Sequence, residues 1–208
     1  MKILYPDGIL KFILLIFLSL LFSTPVIFIE KFLDKDIFSI ALLLVLLINI
    51  TVLFFLGKQK SCKPMFYPTE FHVSLRIKDI CILILIVLGI ISLSITYRYL
   101  FKEDVIDNFS LLYIIGAVFI GPIVEEWVFR GIFLKSLLTR YSSKKSIIIS
   151  SAFFAVVHFH PVGIVRAFIL GAFFGDNYVK NKSLLNVIIL HMIANIIGMA
   201  LIVLLNQI

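Results

Sequence analysis

The side chains able to do chemistry fall into three short patterns. They are Glu125-Glu126-x-x-x-Arg130 within GPIVEEWVFRG (121–131), Phe154-x-x-x-His158 within FAVVH, and His191-x-x-x-Asn195 within HMIAN. Each uses an i,i+4 spacing, which on an α-helix returns to the same face, whereas neighbours diverge by about 100°. Glu126 and Arg130 therefore share a face and can neutralise each other. Glu125 points elsewhere, has no basic residue at i±3 or i±4, and can meet another helix. A carboxylate beside a neutral imidazole in a low-dielectric pocket can take a proton from water. A second histidine with an Asn amide, as in His191 and Asn195, can donate hydrogen bonds to a developing oxyanion. The same set of Glu125, His158 and His191, helped by the Asn195 oxygen, can instead hold a divalent metal such as zinc. The HExxH spacing of zinc proteases is absent. Water activation and metal binding both stay open at this level.

The elements that carry these patterns lie in a chain built for a bilayer. Of its 208 residues 62% are hydrophobic and 15% charged, with a mean hydropathy of +1.14; an ordinary soluble domain is about 45–50% apolar and about 25% charged. Seven apolar segments, at 9–29, 37–56, 80–97, 109–138, 146–160, 162–179 and 184–205, each approach the roughly 20 residues that cross a hydrocarbon core. The fold class expected is an all-α polytopic membrane helix bundle of about seven transmembrane helices. The fourth segment is too long for one straight span, and Gly121-Pro122 are expected to break it, with Pro122 in the first turn of the helix that bears EEWVFR. The first segment is read as a retained span, since its exit FSTPVIFIE offers no small-x-small cleavage site.

Loop charges set the expected orientation. With the N-terminus inside, that side collects thirteen basic residues: Lys2, Lys11, Lys58, Lys60, Lys63, Arg76, Lys78, Lys135, Arg140, Lys144, Lys145, Lys180 and Lys182. The other side collects four, Lys31, Lys35, Arg98 and Lys102. This positive-inside bias predicts an N-in, C-out chain with an odd number of spans. The net charge of +7 follows from these short loops rather than from a basic face, so the partner expected from charge is anionic lipid, not nucleic acid. Cys62 and Cys81 provide no disulfide framework.

The bland readings divide the residues. An ion pair is the better account of Glu126 and Arg130, because an isolated charge in the membrane is costly. Glu125 reads as functional, and His158 and His191 join it as a set, although a lone intramembrane histidine is often only a helix contact. Asn195 alone is evenly balanced, and Phe154 reads as core packing that also orients His158. Arg166 is expected to snorkel outward, with Gly171 and Gly175 forming a small-xxx-small contact face. His160, beside Pro161, is expected at the interface, with Asp176 and Asn177 near the inner one. Asn49 and Asn186 are milder polar positions.

Taken in order on successive helices, the three patterns resemble the CPBP family, the CAAX prenyl protease type II and bacteriocin-processing (Abi) intramembrane proteases. Pro122 ahead of the Glu pair, Phe129-Arg130-Gly131 after it, and Lys182-Ser183-Leu184 ahead of the last histidine are similar to that family as well. The resemblance covers residues 109–206 and implies a protease core there, with residues 1–108 as three preceding helices of one membrane domain. It implies an endopeptidase without an acyl-enzyme, in which Glu125 activates water with help from His158. His191 and Asn195 would stabilise the oxyanion, and Glu126 with Arg130 would hold the site's shape. The family's glutamate-dependent and zinc-dependent descriptions keep both chemistries open.

Two other functions compete. A non-catalytic bacteriocin self-immunity or scaffold protein fits the small size, yet has no physical need for Glu125, His158, His191 and Asn195 together. A proton-coupled transporter could use Glu and His as a relay, but the chain shows no paired broken helices in two matching halves. Residue usage rich in Ile, Phe and Lys points to a bacterial plasma membrane and a secreted peptide or its leader as substrate.

Overall fold

The computed structural model describes residues 72–101, 111–158 and 161–205, together with the helical positions Ile37, Ile40 and Leu44. The first expected span, most of the second, Asn49, Cys62, His160 and the basic residues before position 72 lie outside the described residues. Among the described residues all regular structure is helical, with no strand. The chain divides into two compact units, residues 1–68 with 110–140 and residues 69–109 with 141–208.

In the first unit the backbone is helical from 111 to 137 but changes type four times. α2 (Leu111–Ile115) passes into a π-helix, π1 (Gly116–Ile120), then α3 (Gly121–Glu126), a second π-helix, π2 (Trp127–Leu134), and α4 (Lys135–Leu137). Pro122 falls in the first turn of α3 as expected, but there is no break: Ile120 and Gly121 both keep right-handed helical dihedrals. The reason lies just upstream. Proline gives no N–H to the helix and its ring crowds the carbonyl four residues back. Here the N–H of Gly121 reaches five residues back to the Gly116 carbonyl, and this wider turn lets the helix run through Pro122.

The second unit contains α1 (Ile77–Phe101), α5 (Ser143–Val156), α6 (Pro161–Asn181) and α7 (Leu184–Leu205). Among the described residues, α1, α6 and α7 are long and apolar enough to cross a membrane. α1 buries Leu83, Val87 and Ile90, an i, i+4, i+7 stripe turned to α6 and α7. Its start carries a two-pronged ion pair, Arg76 Nε to Asp79 Oδ2 at 2.9 Å and Nη2 to Oδ1 at 3.3 Å, which puts an anion in the first turn where the helix dipole favours it. The hydroxyls of Ser94 and Thr96 donate to the carbonyls of Ile90 and Ser92, so neither is left without a partner in an apolar medium.

α5 is short, close in length to the segment expected at 146–160 but displaced three to four residues toward the N-terminus. It ends at Val156, leaving 14 residues, below the roughly 20 that cross the hydrocarbon. This end lies five residues ahead of Pro161, and helices commonly end at or before the residue preceding a proline because that residue avoids the α region. His158 consequently sits in the turn after α5, its N–H bonded to the Ala155 carbonyl at 3.0 Å, and not on the helix itself. α5 packs on α6 through Ser146, Ser150, Ser151, Phe154 and Ala155, all buried, against Ala167, Leu170, Gly171, Phe174 and Gly175. Small residues on both helices bring the backbones close.

α6 and α7 join through a tight turn. Lys182 takes a left-handed conformation (φ 55°), and its N–H returns to the Tyr178 carbonyl at 2.8 Å, closing the end of α6. Ser183 caps α7: its Oγ accepts the Asn186 N–H at 3.2 Å and donates to the His72 carbonyl. Asn186, fully buried, accepts from the Ser74 N–H at 2.8 Å and donates to Ser74 Oγ at 2.9 Å. The segment leading into α1 is thereby fastened to the start of α7.

Candidate functional site

The first unit presents the Glu pair. Glu126 and Arg130 are 0% and 1% exposed, with Arg130 Nη1 donating to Glu126 Oε1 at 2.9 Å. The i,i+4 pairing survives although it runs from α3 into π2, so the change of helix type there does not rotate the partners apart. Glu125 is half-buried. Its Oε1 lies 3.6 Å from where a Cβ on Gly121 would stand, so the carboxylate leans back one turn over a position without a side chain.

The second unit gathers the imidazoles. His158 Nδ1 is 2.8 Å from the Phe154 carbonyl oxygen. A carbonyl only accepts, so Nδ1 carries the proton, and in the neutral ring the lone pair is on Nε2. The Phe154 ring, 2% exposed, meets the His158 ring edge-on at 4.9 Å and 66°, and the His191 ring at 6.0 Å and 84°. Phe154 therefore does more than pack: one residue contacts both imidazoles and sets the tautomer of one. His191 is 5% exposed and is stacked on Phe174 at 4.9 Å and 29°. His158 is half-buried by contrast. Asn195, also half-buried, follows His191 by one turn of α7 and shares its face.

The seven residues singled out by spacing thus fall as two groups. Glu125, Glu126 and Arg130 belong to the first unit; Phe154, His158, His191 and Asn195 belong to the second. Phe174 was not legible in advance: the chain has 21 phenylalanines, and no spacing marks this one as the partner of His191. Arg166 is exposed on α6, as snorkelling requires. Asp176 pairs with Lys180 at 2.5 Å, and buried Asn177 accepts from Asn181 at 3.0 Å. Among the described residues no three His, Cys, Asp or Glu side chains come together as a metal-ligand group.

A protein-family model described as type II CAAX prenyl endopeptidase Rce1-like matches residues 107–197. The match begins ahead of α2 and ends two residues beyond Asn195, so it encloses all three patterns. No curated protein and no solved structure matches the chain.

Proposed function

We propose, from the match of residues 107–197 to the Rce1-like type II CAAX prenyl endopeptidase model, that this chain is an intramembrane endopeptidase of that kind whose water is activated by Glu125 and His158. The observation that carries the reading is that the match encloses every member of the three patterns. The half-buried His158, protonated on Nδ1 against the Phe154 carbonyl, and the buried, ring-held His191 support the division of roles.

The Glu125 carboxylate accepts a proton from water as the oxygen attacks the scissile carbonyl carbon, with His158 Nε2 accepting a hydrogen bond from the same water. The carbonyl π electrons move onto oxygen, where an N–H of His191 and the Asn195 amide donate. Collapse breaks the C–N bond, and the proton held on Glu125 passes to the leaving amine. A positioned general base supplies about 10²–10⁴-fold, and one oxyanion donor about 10²–10³-fold. Glu126 and Arg130 keep the helix bearing Glu125 in place. The chain is read as a seven-span, N-in protein of a bacterial plasma membrane, acting on a secreted peptide or its leader at the bilayer.

The test uses the full chain purified in detergent with two internally quenched peptides, one carrying a prenylated cysteine four residues from its C-terminus and one unmodified. Cleavage should fall at least about 10²-fold in Glu125→Ala and in His158→Ala. Cleavage that survived Glu125→Ala would sink the mechanism. Cleavage lost to a chelator and restored by zinc would move water activation to a metal. A cellular protection phenotype that persisted in both variants would favour a scaffold instead.

A further inference from the structure

α6 carries none of the three patterns, yet it touches the residues that hold both imidazoles. Phe174, fully buried, stacks on His191. Three residues earlier and on the same face, Gly171 lies hard against α5. A Cβ there would stand 3.2 Å from Phe154 Cδ1, 3.2 Å from Ser151 Cβ and 3.3 Å from Ser151 Cα. Neither neighbour can readily yield. Ser151 Cα is backbone, and its side chain is anchored by a 2.7 Å bond from Oγ to the Ile147 carbonyl. The Phe154 ring is buried against both histidines, and its carbonyl holds His158 Nδ1.

We propose that Gly171 is a positioning residue: the missing side chain seats the Phe154 ring and, through that ring and its carbonyl, sets the orientation of His158 and His191. With Phe174 it makes α6 the element that fixes the imidazole pair from behind. The inference rests on the endopeptidase reading only for its effect on turnover; the effect on the rings stands by itself.

Gly89 supplies the control, because a Cβ there meets nothing within 4 Å, so the same Gly→Ala change in α1 adds a methyl without a collision. The full chain is labelled with 15N-histidine in detergent, and its four histidines are assigned by single His→Gln changes. Gly171→Ala should shift the ring signals of His158 and His191 and leave His72 in place, while Gly89→Ala shifts none. On the quenched peptide that wild type cleaves, Gly171→Ala should lower kcat by about tenfold with KM within about twofold, since the contacts at 3.2–3.3 Å displace the ring by less than the roughly 1 Å that costs on the order of 10²-fold. Should Gly171→Ala fail to fold, Phe174→Leu tests the same element and should shift His191 and lower kcat. Wild-type ring signals in folded Gly171→Ala, or wild-type kcat in Phe174→Leu, would overturn the proposal. Cleavage persisting in Glu125→Ala would instead refute the endopeptidase reading, leaving the ring signals to judge Gly171.

Discussion

The Glu126–Arg130 pair offers the sharpest test of how charge is carried inside this helix. Both side chains are essentially removed from the surface and meet at 2.9 Å. Taking two charges out of water is expensive, and their attraction repays it only while both are present. Removing one partner takes from the other the counter-charge bonded to it at 2.9 Å, which costs about 3–5 kcal/mol, with the loss smaller for Glu126→Leu because Glu125 also attracts Arg130. Replacing both with apolar residues of similar length removes the desolvation penalty together with the attraction and is commonly neutral or mildly stabilising. Glu126→Leu and Arg130→Met should therefore each destabilise strongly, while the double variant should lie near wild type. The coupling from the cycle should be several kcal/mol, well outside the roughly 0.3–0.5 kcal/mol additivity of independent sites. Reversible unfolding of the detergent-solubilised chain, monitored by helical circular dichroism, measures all four proteins. Singles within about 1 kcal/mol of wild type, or a double variant as unstable as the sum, would refute the argument. Cleavage by the double variant would further separate support of the helix from participation in chemistry.

Asn186→Leu breaks both bonds to Ser74 and should cost about 1–3 kcal/mol in the same unfolding assay; a variant as stable as wild type would mean that the fastening carries no load. Ser183→Ala removes the α7 cap and should cost roughly 1 kcal/mol, read as a lower unfolding midpoint. Lys182→Gly relieves a left-handed residue at the end of α6 and should stabilise by up to about 1 kcal/mol; a loss of stability would show that the lysine side chain contributes there more than the backbone strain it imposes.

What can be read from this chain by itself follows from local rules. The bilayer composition, the helical class and the limits of α6 and α7 follow from apolar run length, because a helix in hydrocarbon must satisfy its own backbone. The i,i+4 rule was enough to join Glu126 to Arg130 and Phe154 to His158, since both contacts need only the geometry of one turn. Pro161 hinted at an end to α5, yet the stop at Val156, which moves His158 onto a turn, lies five residues ahead of that proline, farther than the local rule requires. The passage through Gly121-Pro122 was not legible, because a π-turn is an accommodation between a proline and the carbonyls upstream and has no composition of its own.

The contacts that hold the imidazoles belong to a different class. Phe174 on His191, Gly171 under Phe154 and Ser74 on Asn186 join residues that are distant in sequence, and their partners are chosen by which helices pack and at what depth. The three patterns of polar residues and their medium were thus determined by the sequence alone, through spacing and hydropathy. Which phenylalanine faces which histidine, and which glycine makes room for it, was decided only by the tertiary structure, because close packing between helices is a property of two surfaces and not of either one.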